Sequence, residues 1–154
     1  MLRIRRAVAS LSLIGLFCVW FASAQDVPGV NETDLEVVKT GHFRTKSGHA
    51  IPFRVLKAPN GTEAQILYTR FNSLEAAELQ IEEWVKATRT VTSREHNQTK
   101  GDQLISDRTL GVADVPKSDK KEFVIIRRDY LNCYLIESVS LQVALRVEDL
   151  LEHK

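Results

Sequence analysis

Two apolar runs stand almost back to back near the C-terminal end, "EFVIIRR" (122–128) and "NCYLIES" (132–138), separated only by Asp129-Tyr130-Leu131. Both are short and rich in β-branched and aromatic residues, and the link leaves no room for the crossover that parallel strands need. The pair therefore predicts an antiparallel hairpin. Directly after it, "SLQVALRVEDLLEHK" (140–154) sets Leu141, Ala144, Leu145 and Leu151 on one stripe, with Ser140 in place to cap a helix. A hairpin that runs straight into an amphipathic helix narrows the fold sharply, because the helix must bury its stripe against the sheet.

The same plan is written earlier in the chain. "EVVKTGHF" (36–43), "AIPFRVLK" (50–57) and "EAQILYTRF" (63–71) read as strands joined by "TKSG" (45–48) and "APNG" (58–61). Asn60-Gly61 accepts positive φ, which a tight hairpin turn requires. A helix follows over 73–88. Asn72 or Ser73 caps it, with Glu75 three residues after Asn72 in the manner of a capping box. Leu74, Ala77, Ile81, Trp84, Val85 and Thr88 form its apolar stripe, while Glu82 and Lys86 stand four apart in the favourable orientation. "RTVTSREH" (89–96), a turn "NQTKGD" (97–102), "QLISDRTLGVADV" (103–115) and a polar loop "PKSDKK" (116–121) complete the chain. The predicted order is βββα followed by ββββα, a single α+β domain over 35–154: an antiparallel sheet with two amphipathic helices packed on it. Ser-Leu-x-x-Ala opens both helices, and the grammar of helix starts accounts for the echo without invoking duplication.

The first 24 residues follow a different logic. Arg3, Arg5 and Arg6 precede an apolar stretch to Phe21, and Ala22-Ser23-Ala24 supplies the small residues of a cleavage site. That is a secretory signal peptide, cut between Ala24 and Gln25. The run is short of the ~20 apolar residues of a membrane span, and Cys18 lies too deep in it, after Phe17, to be a lipid attachment site. Arg5-Arg6 also fits the twin-arginine route, although general secretion needs no more than a basic start. "QDVPGVNETD" (25–34) is a flexible lead-in. The expected location is the periplasm or the exterior, with no membrane association after cleavage.

Export changes the charge and the thiol count. Three of the 21 basic residues lie in the signal, so the remaining 130 residues carry 18 Lys+Arg against 20 Asp+Glu, a formal −2 instead of +1. Interspersed signs near neutrality give no footprint for nucleic acid. Cys133 is left as the single cysteine, so packing alone must hold the fold.

Chemistry is hard to find in this chain. His42, His49, His96 and His153 fall in no metal-binding or metalloprotease spacing. Only His42 and His49, flanking one turn, can approach each other. No G-x-S-x-G elbow or phosphate-cradling glycine loop occurs. Cys133 alternates in phase with Leu131 and Leu135, the pattern of a small buried hydrophobe and not of a reactive thiol. The sequence therefore assigns no catalytic, cofactor-binding or metal residues. Asn31, Asn60 and Asn97 each open an N-x-T sequon in a predicted loop.

The second half resembles a group of small, uncharacterised exported bacterial proteins. The resemblance spans roughly residues 40–152 and rests on Arg108-Thr109-Leu110-Gly111-Val112, on Tyr134-Leu135-Ile136-Glu137-Ser138, and on the Ser-Leu-x-x-Ala-Leu helix opening at Ser140. In element order the chain is also similar to the PsbP and DcrB-type α/β/α sandwich, whose members are mostly non-enzymatic accessory proteins. The reading is an exported, non-enzymatic module that binds a protein or envelope partner. The alternative is a small hydrolase using His42, His49 and a nearby carboxylate. Self-association through an exposed sheet edge is a third route.

Overall fold

The computed structural model describes residues 34–44, 50–101, 103–115 and 118–152. Residues 1–24, expected to be a signal peptide, and almost all of the expected lead-in lie outside them. The elements are β1 (Glu36–Arg44), β2 (Ala50–Lys57), β3 (Glu63–Arg70), α1 (Leu74–Ala87), β4 (Thr90–Lys100), β5 (Gln103–Asp114), β6 (Lys121–Asp129), β7 (Asn132–Ser138) and α2 (Leu141–Glu152). The strands form one antiparallel sheet in the order β1-β2-β3-β7-β6-β5-β4. The domain is α+β, as the hairpin spacing requires. Neither helix is long and apolar enough to cross a membrane.

Turn chemistry explains the connections. Gly61 has φ 82°, and the bonds Gly61 N–H to the Ala58 carbonyl and Ala58 N–H to the Thr62 carbonyl, both 2.8 Å, close the β2–β3 hairpin. The β6–β7 turn is tighter than the three residues expected, because Asp129 pairs with Asn132. Tyr130 adopts φ 55° there, a left-handed conformation strained for a tyrosine. The turn expected at 97–102 is also shorter: β4 runs on to Lys100, and Gly101 turns the chain at φ 61°. Backbone pairing does not depend on apolar side chains, so a polar run can extend a hairpin.

The registers arrange the side chains in cross-strand rows. On one face His96, Asp107, Arg128, Cys133 and Thr69 form a row across β4, β5, β6, β7 and β3. The next row runs Arg94, Thr109, Ile126, Leu135, Leu67, Phe53 and Gly41. α1 packs here, and Ala77, Ile81 and Trp84 are buried among Leu67, Val124, Ile126, Cys133 and Leu135. The opposite face presents Leu56, Ile66, Tyr68, Ile125, Tyr134 and Ile136 to Val143, Ala144 and Val147 of α2.

Both helices start on a serine. Ser73 Oγ accepts from Ala76 N–H at 3.2 Å, and Ser140 Oγ accepts from Val143 N–H at 3.4 Å. Ser73, not Asn72, is thus the cap, and Glu75 completes no capping box. The buried side of α2 is Val143, Ala144, Val147 and Glu148, with Leu145 and Leu151 only partly buried. This stripe is rotated from the expected one: Val143 and Val147, four apart, are buried beside Ala144, and Glu148 joins them as a carboxylate.

Candidate functional site

The charged row beneath α1 is the densest gathering of reactive side chains among the described residues. Arg94 of β4 is its hinge. Its Nη2 donates to Glu82 Oε1 of α1 at 2.5 Å and to Asp107 Oδ2 of β5 at 2.7 Å, while its Nε reaches the same Asp107 oxygen at 3.2 Å. Asp107 is only 2% exposed, and a buried carboxylate must be paired to stay ionised. Its bonds to Asp107, and then to Glu82, hold the Arg94 guanidinium even more firmly protonated than usual. The Arg94 hydrogen bond draws the Glu82 carboxyl below its ordinary range. Arg128 stands opposite Asp107 in the register and adds a fully buried guanidinium beside the partly buried one of Arg94.

His96 brings this cluster nearest to chemistry. Its Nδ1 lies 3.8 Å from Asp107 Oδ2, and its side chain is 55% exposed. An imidazole turned toward a buried carboxylate is the start of a general-base arrangement. Two features stop it there. The distance exceeds hydrogen-bond reach, and the oxygen concerned already accepts twice from Arg94. A nucleophile from the same row fails as well. Cys133 stands three strand spacings from His96, about 14 Å at ~4.8 Å per strand.

Cys133 is sealed against α1. It is 0% exposed, and its thiol faces the Ala77 carbonyl at 3.7 Å. Burial pushes the thiol up to about 12, with Arg128 offsetting part of the effect. This is the unreactive packing residue its alternation implies.

His42 lies exposed on β1, and no hydrogen bond or ion pair joins it to a carboxylate among the described residues. His49 and His153 lie outside the described residues. No group of three or more His, Cys, Asp or Glu side chains suited to a metal ion occurs among the described residues. Asn60 sits in the exposed β2–β3 turn, where its Oδ1 accepts from Thr62 N–H at 3.0 Å. Asn97 belongs to β4 and not to a loop as expected, and Asn31 lies outside the described residues.

The opposite face carries a second ion pair. Arg108 Nε and Nη2 grip both oxygens of Glu148 at 2.7 Å, tying β5 to α2. Tyr68 and Tyr134 lie with ring centroids 5.2 Å apart, and the Tyr68 hydroxyl donates to Asn132 Oδ1 at 3.0 Å. A cleft of about 710 Å³, lined by Asp34 to Val37 and by Lys57 to Pro59, lies at the other edge of the sheet from His96. None of the His96 row lines it.

Sequence reasoning missed Arg94, Asp107 and Glu148. Each is a charged residue inside an otherwise ordinary strand or helix, and only the register shows which charges meet. No family model, curated protein or solved structure matches the chain.

Proposed function

We propose that this chain is an exported α+β module, periplasmic or secreted, that binds a protein or envelope partner and performs no chemistry itself. One observation carries the reading: beneath α1 the Asp107 oxygen that faces His96 is taken up by Arg94, and the other Asp107 oxygen and the Arg128 guanidinium are buried away from any substrate. Arg94 occupies both Glu82 and Asp107, and Cys133 is closed off by Ala77. The residues behind the family resemblance have structural duties too. Arg108 anchors α2, Tyr134 packs on Tyr68, and Ser138 Oγ donates to the Glu63 carbonyl at 2.8 Å and accepts from Ser140 N–H at 3.2 Å. An element order resembling the PsbP and DcrB-type sandwich, with an amphipathic helix on each face, supports the same reading.

The test is affinity capture with the immobilised exported chain from its own envelope fraction and medium. In parallel, ester, phosphate, glycoside and peptide substrates are screened for turnover. The expected result is saturable retention of a partner and no turnover. Turnover that disappears in His96→Ala would replace this reading with hydrolysis at the His96–Asp107 pair.

A further inference from the structure

We infer that the β1 edge is the binding surface, and that its partner is an extended segment carrying acidic side chains, which adds as an eighth strand. The inference rests on the binding reading above and names the surface and the partner's chemistry.

Among the described residues the sheet ends at β1 on one side and at β4 on the other. A sheet edge offers a row of backbone donors and acceptors to any strand that can approach it. The two edges are not equally open. The pairing of β4 with β5 is irregular at three places, between Val91 and Ser93, between His96 and Gln98, and between Gln98 and Thr99. Bulges of this kind twist an edge away from further pairing. β1 shifts register once, between Val37 and Lys39, and is then regular from Lys39 to Arg44. The helices pack mainly on β3 and on β5, β6 and β7. α2 also reaches the start of β1, where Arg146 pairs with Asp34 and Leu35 and Val37 join its cluster, while Lys39, Thr40, His42 and Arg44 beyond it are exposed.

Side chains decide which strand fits. The regular stretch reads Lys39, Thr40, Gly41, His42, Phe43, Arg44. Lys39, His42 and Arg44 are exposed, and no ion pair holds Lys39 or Arg44 among the described residues. The Lys39 ammonium stands 5.9 Å from the centroid of the Phe53 ring, a contact that leaves its charge in place. Glu36, the one acid of β1, is already opposite Lys57. The open part of the edge is therefore cationic on both faces, Lys39 on the α1 side and Arg44 on the other. A second copy of this chain brings a single acid, Glu36, to the seam, so a strand with an acid for each of Lys39 and Arg44 complements the edge better. A strand with one acid on its α1 side opposite Lys39 and another on its other side opposite Arg44 meets the opposite charge at both places. Gly41 makes room for the Phe53 ring of β2, which a Cβ there would meet at 2.9 Å.

The probe is a synthetic octapeptide of threonine and valine with two glutamates five residues apart, and so on opposite faces of the strand, compared with its lysine counterpart, against the chain as exported. The acidic peptide should bind roughly tenfold or more tightly than the basic one, weaken with added salt, and slow amide exchange in β1 but not in β4. Lys39→Gln/Arg44→Gln should weaken the binding, and Lys39→Glu/Arg44→Glu should reverse the preference. Unchanged circular dichroism and thermal midpoints establish that the variants are folded. Equal affinity for both peptides, protection at β4, undiminished binding by the charge-reversed variant, or a dimer in sedimentation without peptide would each overturn the proposal. If the acidic peptide fails while envelope capture persists in the charge-reversed variant, the edge is wrong and the binding reading stands.

Discussion

Glu137→Gln should make this protein less sensitive to alkaline pH. Glu137 stands on the α1 side of β7, opposite Val124 of β6 and Gln65 of β3, and is 7% exposed. Burial, reinforced by Glu122, pushes its carboxyl from the ordinary 4.5 up to about 8. Burial raises Glu122 as well. In the window between those two values the folded chain holds a proton that the unfolded chain has released. The stability tied to that proton is full below the unfolded value and is lost as pH rises through the folded one. At ~1.4 kcal/mol per pH unit, the shift sets a ceiling of about 5 kcal/mol. Glutamine keeps the shape and removes the ionisation. The assay is denaturant unfolding of both proteins from mildly acidic to mildly alkaline buffer. The wild type should lose roughly 2–5 kcal/mol more than the variant across that range, leaving the variant the more stable protein at the alkaline end. Parallel curves would show that Glu137 is not a protonated buried acid, and the reasoning would fail.

Three further outcomes follow from packing. Trp84 is 4% exposed within the α1 core, so Trp84→Ala should destabilise by about 3–5 kcal/mol in the denaturant midpoint. A Cβ on Gly111 would lie 2.5 Å from Thr88 Cγ2 and 2.7 Å from the Thr90 carbonyl oxygen. Gly111→Ala should therefore destabilise by about 1–3 kcal/mol through overpacking, visible as a lower thermal midpoint. Cys133 should react slowly with a thiol reagent in the native chain and quickly in denaturant, and Cys133→Ser should be less stable than Cys133→Ala because it buries a hydroxyl.

What the sequence made legible was whatever obeys local periodicity. Alternation in "NCYLIES" placed Cys133 and Leu135 on one face and Tyr134 and Ile136 on the other, and the structure buries them against different helices. Asn60-Gly61 announced its turn through the only residue pair suited to it. The extent of β4 was hidden because "NQTK" is polar, and backbone pairing needs no apolar side chains. Val143 and Val147, four apart, were legible as the buried stripe of α2, whereas Glu148 looks like a solvent residue until Arg108, forty positions earlier, is seen to face it. The Arg94–Asp107–Glu82 cluster is a product of register and helix placement together, and no spacing along the chain encodes that. Gly111 carried a recognisable motif, but its reason, the approach of Thr88 and Thr90, is a three-dimensional one.

The account holds that the buried charges are structural and that recognition belongs to the β1 edge. The most direct test is the fraction of envelope partner captured by three immobilised proteins: the wild type, Lys39→Glu/Arg44→Glu and His96→Ala. The account predicts that the charge-reversed edge loses the partner while His96→Ala retains it fully. Capture that survives reversal of the edge and disappears with His96 would contradict it.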